Sequence, residues 1–197
     1  DKDKMSKSLG NVFTVREFLK LYPAESLRLL VLSGHYRSPI EFSQSVNSDT
    51  VKGLERFYKT ACAVSDYMSL PHKISKKISA EQKALEEDLA RSVKELEKNF
   101  TAAMDDDFNS SLAIGHIFEV VRKLNKFLRG GDVVWTPQGG EICEAWQFLM
   151  KRLAAILGVL EESPQTMLDN LRVQQLSSSD MAPEEINKLV KEREEAR

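Results

Sequence analysis

Long stretches in which apolar residues recur three and four positions apart, with few glycines or prolines between them, restrict the fold of this chain more than any other feature. Only 9 glycines and 6 prolines occur in 197 residues. A spacing of three and four is the period of one helix face, not the alternation of a strand. Leu85, Leu89, Val93, Leu96, Phe100 and Met104 make the cleanest such seam. Ser79-Ala80-Glu81-Gln82 precedes it as a capping box, so a helix is expected from Ser79 to about Met104. Val51, Leu54, Phe57, Tyr58, Ala61, Val64 and Met68 predict another from about Ser48 to Met68. Leu112, Ile117, Phe118, Val121, Leu124 and Leu128 predict a third, capped by Asn109 or Ser110 and stopped at Gly130-Gly131. Ile142, Trp146, Leu149, Leu153 and Ile156 predict a fourth over Glu141–Leu157, with Gly158 in the left-handed position that ends helices. Each helix has one apolar face, so the expected fold is all-α, an antiparallel helical bundle with short connections.

The flanks are less regular. Thr14-Val15-Arg16-Glu17 is a second capping box and predicts a short helix from Val15 to about Leu21. Pro23 stops it and opens the next, Ala24 to about Ser33, carrying Leu27, Leu30 and Val31. His35–Phe42 reads as extended, because Pro39 biases Ser38 away from helix. Residues 130–140 read as a glycine-rich loop holding Trp135. Beyond Gly158 the periodicity weakens, Gln174–Met181 reads as a polar linker, and Pro183 opens a charged helix. The expected organisation is a leading region over 1–42, the bundle over 43–172, and a linker with a last helix over 173–197.

Hydrophobic residues at 42% and charged ones at 29% suit a packed core rather than disorder. No apolar run reaches the roughly 18–20 residues of a membrane span, so a soluble, cytoplasmic chain without a membrane partner is expected. Cys62 and Cys143 lie far apart with no metal-ligand spacing and read as small buried hydrophobes. The net charge of −2 argues mildly against nucleic acid, but it is uneven. Through Ser38 seven bases face four acids, and charges beyond a Debye length of about 8–10 Å do not cancel a local basic face.

Lys4-Met5-Ser6-Lys7-Ser8, followed by Leu9-Gly10-Asn11, is a short basic loop leading into a capped helix. When a carboxylate attacks the α-phosphate of ATP, charge builds on phosphate oxygens, and cations aimed at them lower the barrier. Lysine suits that role as a compact charge on a flexible stem. Ser6 and Ser8 can donate to phosphate or steady the loop.

Lys4–Ser8 resembles the second signature loop of class I aminoacyl-tRNA synthetases. The text after it narrows the resemblance to the cysteinyl-tRNA synthetase family: Glu25-Ser26-Leu27-Arg28, Ser33-Gly34-His35-Tyr36-Arg37-Ser38-Pro39, Ala103-Met104-Asp105-Asp106-Asp107-Phe108-Asn109 and Glu192-Arg193-Glu194-Glu195-Ala196-Arg197. The resemblance implies that Lys7 is the main catalytic lysine on the ATP phosphates, with Lys4 assisting and Ser6 and Ser8 in the ATP-binding loop. It implies ATP with Mg2+ and L-cysteine as substrates, tRNA(Cys) as partner, a monomer, and an anticodon-binding type of bundle behind a short helical stem-contact region. The zinc that selects cysteine belongs, by the same resemblance, to an N-terminal part not contained here, so no metal ligand is expected in this chain. The missing initiator methionine fits a piece of a longer protein, inactive alone. Two other acceptor readings remain: a related cysteine ligase acting on an amino-sugar, against which Glu192–Arg197 speaks, and a non-catalytic helical tRNA-binding module.

Other residues carry more than one reading each. Arg37, with His35 and Tyr36, either contacts the inner bend of the tRNA, braces the lysine loop, or forms a corner in which Arg37 pairs a carboxylate and Tyr36 packs. Asp105–Asp107 reads as a turn rather than a metal cluster. Arg122, Lys123, Lys126 and Arg129 form a basic helix face, suited to an RNA backbone or simply solvated; Arg122, Lys126 and Arg129 are the tRNA-binding candidates there. Trp135 either stacks a base or covers the end of the bundle.

Overall fold

The computed structural model describes residues 13–71, 78–129 and 133–177. Seven helices and no strand occur among the described residues: α1 (Val15–Leu21), α2 (Ala24–Leu32), α3 (Gln44–Met68), α4 (Ala80–Asp105), α5 (Ser110–Leu128), α6 (Pro137–Leu157) and α7 (Pro164–Ser177). The all-α expectation holds. No helix among them is long and apolar enough to cross a membrane. The polar linker expected at Gln174–Met181 and the charged helix from Pro183 fall largely or wholly outside the described residues.

The predicted caps form as hydrogen bonds. Glu17 N–H donates to Thr14 Oγ1 at 3.2 Å, and Glu17 Oε2 accepts from Thr14 N–H at 2.7 Å. Ser79 Oγ accepts from Gln82 N–H at 3.0 Å, but the return half of the box expected there does not form, because the Gln82 side chain is taken up by Glu86 and Val134. Asn109 Oδ1 accepts from Leu112 N–H at 3.1 Å. Gly158 ends α6 at φ 63°, in the left-handed region expected of it.

Four differences from the sequence reading have local causes. α3 begins at Gln44, ahead of Ser48, because Ser43 Oγ caps the amide of Val46 at 3.3 Å. α6 begins at Pro137 and absorbs Gly139 and Gly140, because Thr136 Oγ1 caps Gly139 N–H at 2.8 Å and Pro137 suits a first turn. Residues 35–38 turn rather than extend, with Ser38 N–H donating to His35 O at 2.8 Å. α7 is a helix the periodicity did not announce; among its described side chains Met167, Leu168 and Leu171 are the buried apolar ones, too few for a clear stripe, and it runs into the linker expected from Gln174.

Consecutive helices from α3 to α6 alternate in direction, with α3–α5, α5–α4, α4–α6 and α6–α3 as neighbours around the bundle. α2 and α7 pack on α3. The core holds Leu54, Phe57, Tyr58 and Val64 of α3, Leu89, Val93, Leu96 and Phe100 of α4, Ile117, Val121, Leu124 and Phe127 of α5, and Trp146, Met150 and Leu153 of α6. Each fully buried side chain of this size is worth about 1.5–3 kcal/mol against exposure. The sequence stripes are right in α3 and α4 and hold in α5 and α6 at Ile117, Val121, Leu124, Ile142, Trp146 and Leu153, missing only at single positions. Leu29 rather than Val31 is buried in α2, and Leu157 rather than Ile156 in α6, while Leu112 of α5 lies exposed.

One end of the bundle is closed by a buried polar network. Thr136 Oγ1 donates to Glu86 Oε1 at 2.8 Å, and Gln82 Nε2 donates to the same oxygen and to Val134 O, each at 2.8 Å. Thr136 N–H donates to the Tyr67 hydroxyl at 3.0 Å. Burial, with the nearby Glu86 charge, pushes the Cys143 thiol up to about 12, which makes it an inert core residue. Gly139 is required here by space, since a Cβ would collide with the Tyr67 hydroxyl and Thr136 Oγ1. Gly139→Ala is expected to cost about 1–3 kcal/mol in urea unfolding. Gly115, in α5 with nothing within 4 Å of a Cβ, should instead gain about 0.5–1 kcal/mol on replacement by Ala.

Candidate nucleic-acid interface

Lys4, Ser6, Lys7 and Ser8 lie outside the described residues, so the anchorage of the loop starts at Phe13. The Phe13 ring packs 5.3 Å from Phe42, and Phe42 packs 5.9 Å from the buried Phe18 of α1. Phe18 in turn meets Tyr22 at 4.8 Å. The chain leaving the lysine loop is thus held at once by an aromatic cluster and by the Thr14–Glu17 capping box. The Thr14 amide and then its hydroxyl hold the Glu17 carboxyl below its ordinary range.

Behind α2, His35, Tyr36 and Arg37 converge on Asp107. The Tyr36 hydroxyl donates to Asp107 Oδ1 at 2.8 Å, Arg37 Nη2 donates to the same oxygen at 3.1 Å, and Arg37 Nε donates to the Tyr36 hydroxyl at 2.8 Å. His35 Nε2 is 3.9 Å from Asp107 Oδ2, and its ring stacks on Tyr36 at 4.9 Å. Asp107 and Phe108 both sit at positive φ, 52° and 53°, a conformation that costs non-glycine residues energy. That left-handed turn ends α4 and carries the Asp107 carboxylate to the corner. Hydrogen bonding to Asp107 raises the Tyr36 pKa, with Arg37 opposing it. The Arg37 side chain remains 68% exposed while one edge is paired. The Asp105–Asp107 run therefore works as a turn that offers one carboxylate to the 35–37 corner. Among the described residues no group of three or more His, Cys, Asp or Glu is placed to hold a metal ion.

The basic run on α5 divides. Lys123 turns inward, its Nζ 3.0 Å from Asp88 Oδ1 and 2.7 Å from Ser92 Oγ of α4, and 3.8 Å from Glu119. It ties α5 to α4 and does not belong to the outer face expected of it. Arg122, Lys126 and Arg129 are exposed and form no ion pair among the described residues. Between them Asn125 Nδ2 donates to Thr60 Oγ1 of α3 at 2.7 Å and to Val121 O at 2.9 Å. With the Phe57–Phe118 stack at 4.3 Å, this fixes the register of the parallel pair α3–α5. In that register Arg56, one helical turn before Thr60, lies on the flank of α3 next to α5. It is exposed and also without an ion pair among the described residues. By helical spacing, Arg56 stands on the α3 side of the α3–α5 seam and Arg122, Lys126 and Arg129 on the α5 side. Arg56 escaped the sequence reading because Glu55 beside it hides the charge; its position one turn before the buried Thr60 is the signal that could have found it.

Two family models match the chain. Residues 1–52 match the catalytic domain of class I (C) tRNA synthetases, and residues 99–161 match the DALR domain. A cysteine–tRNA ligase of Geobacter sp. (strain M21) is 37% identical over 195 residues, covering 99% of this chain and 38% of the relative. That of Thermodesulfovibrio yellowstonii is 37% identical over 205 residues, covering all of this chain and 38% of the relative. Along its whole length the chain is similar to cysteinyl-tRNA synthetases. It spans about two-fifths of the length of the curated relatives it matches. The α3 helix is the seam between the two matched regions: it begins inside the first and runs on as a wall of the bundle that holds the second. Trp135, half-buried, lies 3.3 Å by its ring from where a Cβ on Gly140 would stand, which places it over the first turn of α6 at the bundle end.

Proposed function

We propose that this chain is part of a cysteine–tRNA ligase, which activates L-cysteine with ATP and transfers it to tRNA(Cys). It supplies the phosphate-facing lysines and a helical surface for the tRNA. The observation that carries this reading is similarity at 33–37% identity to cysteine–tRNA ligases along the whole chain, joined to a matched catalytic segment that contains Lys4–Ser8. Lys7, assisted by Lys4, neutralises charge on the ATP phosphates during adenylation, with Ser6 and Ser8 donating to them. Bound magnesium would share that charge. Zinc that selects cysteine is part of this reading, and none of the residues named here is assigned to hold it.

The tRNA lies along the α3–α5 seam, with Arg122, Lys126, Arg129 and Arg56 on its phosphates and Arg37 contributing at the corner. Unpaired, exposed cations on two parallel helices support this, since releasing counterions from phosphate favours such contacts. The organisation into a leading region over 1–42, a bundle over 43–172 and a following segment over 173–197, and a cytoplasmic, monomeric enzyme, complete the proposal. The test is charging by the full-length protein. Cysteine is expected to accumulate on tRNA(Cys) and not on glucosaminyl-inositol; the opposite acceptor preference would overturn the reading.

A further inference from the structure

The segment matched by the catalytic model and the segment matched by the DALR model meet at one buried carboxylate. Glu25 of α2 is 8% exposed. Its Oε2 accepts from the Tyr58 hydroxyl at 2.8 Å and from Leu160 N–H at 2.9 Å, while Oε1 accepts from Glu161 N–H at 3.1 Å and from the same hydroxyl at 3.0 Å. One side chain therefore joins α2, α3 and the turn between α6 and α7. That turn has an unusual shape. Gly158 and Leu160 both lie in the left-handed region, at φ 63° and 59°, and for leucine that conformation is costly. It is what aims two consecutive amides at the carboxylate. Arg28, one turn along α2, lies against the same bend, since a Cβ on Gly158 would collide with its guanidinium. Tyr58 stays a donor: burial first, then the Glu25 hydrogen bond, pushes its pKa far above the ordinary tyrosine range.

A carboxylate accepting from two backbone amides and a buried hydroxyl is a strong, directional tie. Removing a buried charge's partner, or the charge itself, leaves donors unsatisfied. The rest of the contact between α2 and this turn offers nothing equivalent. α3 alone, as a single continuous helix, fixes where the bundle starts but not its rotation about the helix axis. Further ties are needed for that: the Tyr36 and Arg37 bonds to Asp107 are exposed, Ser110 Oγ donates to Leu32 O at 2.8 Å, and Glu25 supplies the buried tie, on the side of α2 facing the α6–α7 turn.

We propose that Glu25 is a positioning residue whose carboxylate locks α2 to the α6–α7 turn. It thereby sets the angle between the adenylation end of the enzyme and the exposed cations on α3 and α5. This rests on the proposed function and adds to it that tRNA transfer, but not cysteine activation, depends on Glu25. Misplacement of a bound reactant by about 1 Å costs up to 10²-fold in rate, so a small rotation is amplified at the distant tRNA end.

The experiment uses full-length enzyme carrying Glu25→Gln, Tyr58→Phe, or Val93→Ala as a destabilised control in the α4 core. Cysteine-dependent pyrophosphate exchange and charging of tRNA(Cys) are measured well below each Tm. Glu25→Gln is expected to lower kcat/KM for tRNA about tenfold or more and to leave exchange within about twofold. Tyr58→Phe, which keeps the carboxylate and its two amides, should shift the same ratio by less and serves if Glu25→Gln does not fold. Val93→Ala should lower Tm and leave the ratio of charging to exchange unchanged. Charging and exchange falling together, neither changing, or Val93→Ala moving the ratio equally would each overturn the proposal. A wild-type enzyme that does not charge tRNA would instead overturn the parent reading.

Discussion

Replacing Lys7 by Ala in the full-length enzyme is expected to lower the rate of cysteine-dependent pyrophosphate exchange by about 10²–10³-fold, with little change in the KM for cysteine. The magnitude follows from the loss of one fixed charge aimed at oxygens that become more negative only in the transition state. Such an interaction appears in kcat rather than in ground-state binding. Lys4→Ala is expected to have a smaller effect in the same direction, because Lys4 assists. Lys7→Arg should recover only part of the activity, since a planar, forked cation does not replace a point charge on a flexible stem. The neighbouring anchorage should be untouched: Phe13, Phe42 and the Thr14–Glu17 capping box hold the chain after the loop without using either lysine. Unchanged exchange with altered tRNA affinity would show that the loop serves binding alone, and would favour the helical-module reading.

How much of the fold could be read from sequence differs from element to element for physical reasons. α4 was legible because Leu85 to Met104 form a seam at helical spacing and Ser79 announces its start. α3 and α6 were legible in their bodies but not at their beginnings. Their caps, Ser43 and Thr136, stand without the downstream Glu or Gln of a capping box, and Gly139-Gly140 argues for loop until Tyr67 is seen pressing against Gly139. α2 was misphased because it buries Glu25 and Ser26 as well as Leu29 and Leu30. A stripe sought among apolar residues cannot include a carboxylate whose four hydrogen bonds come from residues 33 to 136 positions away. α7 was missed because three buried side chains on one helical turn and a half make no period.

The site shows the same division. The lysine loop was readable because its chemistry is local to five residues. The pairing of Arg37 with Asp107 joins residues 70 apart and needs two left-handed residues to form, so sequence could offer it only as one of several readings. Lys123 and Arg122 are adjacent in sequence and look alike there. The fold separates them, turning one into a cross-bundle tie to Asp88 and Ser92 and leaving the other outward.

That separation supplies the second large effect. Neutralising Arg122, Lys126 and Arg129 together, each to Gln, is expected to weaken tRNA(Cys) binding by about ten- to a hundredfold at moderate salt, and to make the dependence of log K on log salt shallower by about 2–3. The change should leave Tm close to wild type, because exposed side chains without ion-pair partners seldom matter to stability by more than about 0.5 kcal/mol. Lys123→Gln makes the converse control. It removes a half-buried charge that joins α5 to α4, so it should lower Tm and leave the salt slope alone. Arg56→Gln, across the seam on α3, should lower the slope by about one further unit when added to the triple variant, since cations on both sides of one helix seam would meet the same strand. Binding curves at four or five salt concentrations, measured by filter retention or fluorescence anisotropy, would decide it. An unchanged slope in the triple variant would mean that this face is merely solvated and that the tRNA lies elsewhere on the bundle. A slope that changes for Lys123→Gln but not for the triple variant would place it on the α4 side, along the polar cleft where Asp88, Ser92 and Glu119 now compete for that lysine.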